Sequence, residues 1–182
     1  GAKVIAIVNR RGSDLTDRAD GVLYTSDGRD VEMSVASTKA FYSQIAAGLL
    51  LSIAITDELL GDEMIDDRAA LLKGITELPA AMETVLDRRG IIGEAARQFA
   101  PSRRYWAMVG NGPNRIAAQE VRVKLSELCY KSIAADSTED KKHIDLSSEP
   151  LIFVCAAGLS GSTADDVAKE VAIFRAHKAA PI

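Results

Sequence analysis

Short apolar runs alternate with stretches of helical spacing along this chain. Val4–Val8 is continuously apolar and closes at Asn9, Arg10, Arg11 and Gly12, the pattern of a parallel strand buried on both faces. Gly21–Thr25 reads as a second short strand, ended by the turn Ser26-Asp27-Gly28. Tyr105–Val109 and Leu151–Ala156 repeat the apolar pattern, Ser132–Ala135 is a shorter strand, and Ala180–Ile182 begins another.

Between these runs the spacing predicts helices. One spans Thr38 to Leu60 and stops at Gly61. Asp62–Leu78 is the next, with Met64, Ile65, Ala69, Leu72 and Ile75 on its inner side. Pro79 restarts the chain as a first-turn residue, and Gly90 separates helices at Ala80–Arg89 and Ile91–Phe99. Arg115–Tyr130 and Ala164–Lys178 complete the set. Strands alternating with helices predict an α/β fold with parallel sheets flanked by helices. The expected organisation is a first partial α/β unit at residues 1–61, a helical linker at 62–101 and a second partial unit at 102–182. The first unit opens with only two strands and the second stops as a strand begins. A piece of a longer chain, or one completed by a partner chain, is therefore expected.

Composition narrows the function classes. The net charge is −4 and there is no dense Lys/Arg block, which argues against nucleic acid. Aromatic residues are 5% of the chain, too few for base stacking. The apolar run Ile45–Ile55 is too short to span a membrane and contains Gly48 and Ser52, so no membrane is expected. Cys129 and Cys155 lie in no Cys/His cluster, and His143 and His177 are the only histidines, so neither a metal nor another cofactor is implied. Apolar flanks predict two buried thiols in a reducing, cytoplasmic setting. The opening GAKVIAIVNRR reads as a strand rather than a signal peptide.

Candidate chemistry falls at four places. In Glu32–Gln44 (EMSVASTKAFYSQ), a hydroxyl-rich turn at Ser34–Thr38 enters a helix, where backbone amides and hydroxyls converge. It suits an anion or sugar, or serves only as an N-cap. Gly158–Thr163 lies between a strand and a helix, and Ser160, Ser162 and Thr163 offer hydroxyls beside the helix amides. This suits a phosphate, or it is a plain strand–helix turn. It is no Walker loop, and Gly110-Asn111-Gly112 lacks the remainder of a dinucleotide fingerprint. Lys124 and Glu127 share a helix face, as a surface ion pair or as a general base beside a cation. His143 sits in the charged, loop-like run Glu139–His143, as an inert surface group or a proton shuttle. His177, between Ala176 and Lys178, suits a helix C-terminus.

Three of these stretches resemble the isomerase region of the glutamine–fructose-6-phosphate aminotransferases, which consists of two sugar isomerase (SIS) domains. EMSVASTKAFYSQ resembles the family's E-x-x-V-A-S-T-K-A-F-x-x-Q, and the resemblance implies that Val35 and Ser37 contact the sugar. Glu120-x-x-x-Lys124-x-x-Glu127 resembles the family's E-x-x-x-K-x-x-E, whose last glutamate moves a proton between C1 and C2. Glu127 is then the enediol base and Lys124 its neighbour. Lys142-His143 resembles the pair whose histidine opens the sugar ring from the other subunit. The family has Gly-Pro after that histidine, where this chain has Ile144-Asp145. LSGSTAD at Leu159–Asp165 resembles the SIS phosphate loop, here in the second unit.

The resemblance implies two partial SIS units and a homodimer. It implies fructose 6-phosphate or a similar sugar phosphate as substrate, and ketose-to-aldose isomerisation in amino-sugar synthesis. A glutaminase domain, a C-terminal Schiff-base lysine and the first unit's own phosphate loop would lie outside this sequence, leaving the chain by itself inactive in aminosugar synthesis. Two rival readings are a non-catalytic, regulatory phosphosugar-binding module and a helical interaction protein that only keeps the fold.

Overall fold

The computed structural model describes residues 1–26, 36–61 and 67–182. The chain divides into two units, Gly1–Val85 and Leu86–Ile182.

In the first unit β1 (Ile5–Val8) pairs in parallel with β2 (Gly21–Tyr24), Ile5 opposite Gly21. The crossover carries a one-turn helix, α1 (Asp14–Arg18), absent from the sequence reading. Asp20 fastens the start of the pair. Its carboxylate accepts from Lys3 Nζ at 2.7 Å and from the Val4 backbone amide at 2.9 Å. Of β1, only Ala6 is buried, and Ile5 is 49% exposed. The expectation of a strand buried on both faces thus fails here, because a two-stranded sheet has too few neighbours to cover both sides.

Helix α2 (Lys39–Leu60) ends at Gly61, whose φ of 87° takes the chain out of the helix. It runs beyond the apolar stretch Ile45–Ile55 at both ends, as the spacing predicted. Among the described residues it is the one helix long and apolar enough, by length and composition alone, to cross a membrane. Soluble core helices meet the same description. Ile53 is its buried residue, and Asp57 near its end holds Arg68, with Nη2 2.7 Å from Oδ2.

Arg68 opens α3 (Arg68–Asp87), which runs straight through Pro79. Pro79 therefore does not restart the chain. The ring costs one backbone bond, and strong helix formers such as Ala80 and Ala81 continue the helix beyond it. The break falls instead at Arg88, and Gly90 lies inside α4 (Arg89–Phe99).

The second unit holds a four-stranded sheet in the order β4-β3-β5-β6, every neighbouring pair parallel. Its strands are β3 (Trp106–Gly110), β4 (Ala134–Asp136), β5 (Leu151–Cys155) and β6 (Ala180–Pro181). Helix α5 (Pro113–Cys129) links β3 to β4, a short α6 (Thr138–Lys142) and a 3-10 turn at Leu146–Ser148 lead to β5, and α7 (Gly161–Ala176) links β5 to β6. Met108, Ala118 and Ile133 pack with Trp106, Leu125 and Phe153 in one core cluster, and Val109, Leu146, Ile152, Phe174 and Ala179 form a second. Alternate residues of β3 therefore serve opposite faces, as a central parallel strand requires. Cys155 is partly buried, but Cys129, at the end of α5, is exposed, contrary to the expectation of two buried thiols.

Candidate active site

In the second unit the strand order reverses between the parallel neighbours β3 and β5. From β3 the chain crosses through α5 to β4 on one side, and from β5 through α7 to β6 on the other. The crevice above such a reversal is where open α/β sheets hold ligands. Gly110 ends β3, and a Cβ there would fall on the carbonyl of Asn114. Only glycine admits the helix so close to the strand. Gly112, at φ 54°, then delivers Pro113 to the first position of α5.

Two asparagines brace this edge. Buried Asn114 donates from Nδ2 to the Ala157 carbonyl at 3.0 Å and accepts from the Ala157 amide at 3.1 Å. It ties the turn after β3 to the turn after β5. Asn111 donates to Thr138 Oγ1 at 2.7 Å and accepts from the Thr138 amide at 3.2 Å, tying the same turn to the start of α6. The sequence reading met Asn111 only as part of a glycine turn and gave neither asparagine a role. Their signal was an Asn pair three apart beside a glycine turn at a strand end.

Above β5, Gly158 and Gly161 have φ of 70° and 57°. Helix α7 begins at Gly161, three residues before the expected start. Ser160 becomes its N-cap residue, in extended conformation, and Ser162 and Thr163 lie in the first turn. All three residues are exposed. Thr163 Oγ1 donates its proton to the Ser160 carbonyl at 2.8 Å, so it has none to offer an anion. Ser160, Ser162 and the first-turn amides are the groups placed to bind one.

Glu120, Lys124 and Glu127 form a continuous set along α5. Lys124 Nζ lies 3.4 Å from Glu120 Oε1 and 3.4 Å from Glu127 Oε2. The lysine side chain is only 19% exposed, against 33% for Glu127. Partial burial works against its charge, but the bonds and attraction from Glu120 and then Glu127 win, and the ammonium is held above its ordinary value. Asn114 and Glu127 sit on one helix about 20 Å apart, at about 1.5 Å of rise per residue. The structure therefore does not bring Glu127 together with the 158–163 turn. They occupy opposite ends of α5.

His143 follows α6, a short helix where the sequence suggested a loop. Ser137 caps it by accepting from the Asp140 amide at 3.0 Å. Glu139 and Asp140 sit in the first turn and Lys141 and Lys142 in the last, as the helix dipole favours. The signal Ser-x-x-Asp before Lys-Lys was legible in the sequence. His143 is 68% exposed, its Nε2 3.5 Å from Glu139 Oε1. Ser37 lies in the first unit, partly buried, two residues before α2, whose N-cap position is Thr38. Val35 falls outside the described residues.

The second unit has two recesses apart from these residues. One, of about 460 Å³, is lined by Ser102, Arg103, Ser147, Ser148 and Glu149. Arg104 and Tyr105 also line it, and several of its donors are engaged by the protein: Arg103 Nη1 donates to the carbonyls of Glu149 and Lys178, and Ser102, Ser147 and Ser148 donate to Phe99, Asp145 and Asp145 respectively. The other, of about 750 Å³, lies between α4 and the sheet, where Ile91, Ile92, Trp106, Leu125 and Phe153 leave it apolar. Among the described residues no cluster of metal-ligating side chains occurs.

No protein-family model matches the chain. Over 143 residues, 79% of its length, it is 34% identical to the isomerizing glutamine–fructose-6-phosphate aminotransferase of Corynebacterium efficiens. It is 35% identical to the enzyme of that name from Halobacterium salinarum, again over 143 residues. The matched part is 22% and 23% of those relatives, so the chain spans about a quarter of their length. Among solved structures it superposes on the C-terminal domain of glucosamine-fructose-6-phosphate aminotransferase from Francisella tularensis with a TM-score of 0.77. The identity is 21%, covering 97% of this chain and 49% of that one. A protein from Silicibacter pomeroyi provisionally named a phosphosugar isomerase gives a TM-score of 0.71 at 22% identity, covering 100% of this chain and 51% of that one. The chain is thus a homologue of one part of the isomerizing glutamine–fructose-6-phosphate aminotransferases, built on the parallel-sheet fold shared with phosphosugar isomerase structures.

Proposed function

We propose that this chain is the sugar-isomerising part of an aminosugar-forming enzyme and binds fructose 6-phosphate or a close relative. The observation that carries the reading is the Glu120–Lys124–Glu127 set, where a partly buried ammonium sits 3.4 Å from each of two carboxylates. Such a carboxylate is anchored on a rigid helix yet reachable by substrate, as a general base needs. Glu127 takes a proton from C1 while a C1–C2 double bond forms and the C2 heteroatom takes a proton from water. It then returns the proton to C2 as the C1 hydroxyl loses its proton to water and the C1 carbonyl forms. Lys124 holds the Glu127 carboxylate in place. Ser37 and Val35 orient the sugar, and His143 opens its ring across a homodimer. Ammonia comes from a glutaminase partner domain.

In the full-length protein, calorimetry with fructose 6-phosphate tests the binding, and wash-in of solvent deuterium at C1 of the sugar tests the chemistry. The expected result is saturable binding, with exchange reduced about 10²-fold or more in Glu127→Gln at similar affinity. Binding with no exchange in the wild type supports the rival reading, a non-catalytic phosphosugar-binding module. The Ile144-Asp145 sequence after His143 favours that rival. An absence of binding sinks both.

The turn at 158–163 is proposed as a separate phosphate contact. Ser160→Ala/Ser162→Ala should weaken binding of inorganic phosphate, and unchanged affinity would remove it from the reading.

A further inference from the structure

We infer that Glu170 of α7 is a positioning residue for His143, acting through Lys142 and Glu139. The inference rests on the proposed role of His143 but concerns a residue to which that proposal gives no part. Glu170 is the one buried carboxylate in the unit's described core, with a side chain 11% exposed. A carboxylate so placed needs a charged partner, and Lys142 supplies it, with Nζ 3.0 Å from Oε1. The other oxygen, Oε2, is buried and has no hydrogen-bond partner. Lys142 Nζ also lies 2.7 Å from Glu139 Oε2, and Glu139 Oε1 lies 3.5 Å from His143 Nε2. The four side chains form one line of contacts from inside the unit to its surface.

The need for such an anchor follows from the length of α6. A five-residue helix cannot hold itself in water, so its position comes from tertiary contacts. Its start is fixed by Asn111 on Thr138, and its end by Glu170 on Lys142. His143 is the next residue after that end. The hydrogen bonds it donates to Glu139 and Glu170 hold the Lys142 ammonium above its ordinary value. Lys142 above all, and then His143 and Glu170, hold the Glu139 carboxyl below its own, although desolvation opposes this, so Glu170 also reaches Glu139 directly. The remaining nearby cation, Lys141, is turned away, donating to the Ile144 carbonyl at 3.1 Å. On α7 the exposed Lys169 and Asp166 pair with each other at 3.1 Å.

The chain has two histidines, so the imidazole region of its proton NMR spectrum reports His143 with His177 as an internal control. Glu170→Gln and Lys142→Met should each move the His143 resonances and leave His177 in place. The double substitution should move them no further than the larger single effect, because both break the same link. Glu170→Asp should restore the wild-type position in part. Thermal unfolding identifies any variant that fails to fold, and Lys142→Met then reads the same link from its more exposed end. An unmoved His143 in either folded variant overturns the inference, as do effects of the two substitutions that simply add. None of these readouts involves sugar. Failure of fructose 6-phosphate to bind would therefore overturn the proposed function and leave this link standing.

Discussion

The two units start from similar apolar strands and reach different degrees of burial. In the second unit β3 lies between β4 and β5, and Met108 and Val109 show no exposed surface. In the first, β1 has one partner among the described residues, and Val4 and Ile5 are each about half exposed. Helix α2 is more apolar than α7, yet Leu59 and Leu60 at its end are 74% and 64% exposed, whereas Phe174 on α7 is fully buried. Hydrophobicity alone therefore does not make a core. A core needs neighbours on both sides of the sheet, and among the described residues only the second unit supplies them.

The largest test of this difference is Phe174→Ala. It should destabilise the second unit by about 3–5 kcal/mol, because a fully enclosed ring is deleted. Ile5→Ala on β1 should cost about 1 kcal/mol or less, since half of the side chain already meets water. Urea unfolding followed by amide NMR reads each unit separately, and equal losses would break the comparison. Next is Asn114→Ala, which strips the Ala157 amide and carbonyl of their partners at about 1–3 kcal/mol. Hydrogen exchange at Ala157 should accelerate, while the β1–β2 amides keep their protection. The smallest expected effect is Leu59→Ser on α2, within about 0.5 kcal/mol for so exposed a side chain. A loss above about 1 kcal/mol would show that this face of α2 is covered in solution.

Most strands and the larger helices were legible because their signals are local. Apolar runs bounded by glycine marked β3 and β5, and Gly61 marked the end of α2. Pro79 misled because the penalty of a helical proline is also local, and a helix of 20 residues absorbs it. Helix α6 was missed because its five residues are mostly charged and carry no apolar period, although Ser137 and the charge order announce a cap and a dipole. In the candidate site, the spacing from Glu120 through Lys124 to Glu127 was readable because helix pitch alone places them on one face. The roles of Asn111, Asn114 and Glu170 were not, since each takes its meaning from a partner 27 to 43 residues away.

By itself the sequence determined the α/β alternation, the ends of most elements and the Glu120–Lys124–Glu127 set, all of which depend on contacts within one helix or strand. The tertiary structure alone decided which apolar strand becomes a core, which turn is braced to which, and that Glu127 lies about 20 Å along α5 from Asn114, the residue bonded to Ala157 just before the phosphate-loop-like turn. The physical reason is range. Periodicity and capping act within a few residues, whereas burial and the pairing of buried polar groups depend on segments that only strand order brings together.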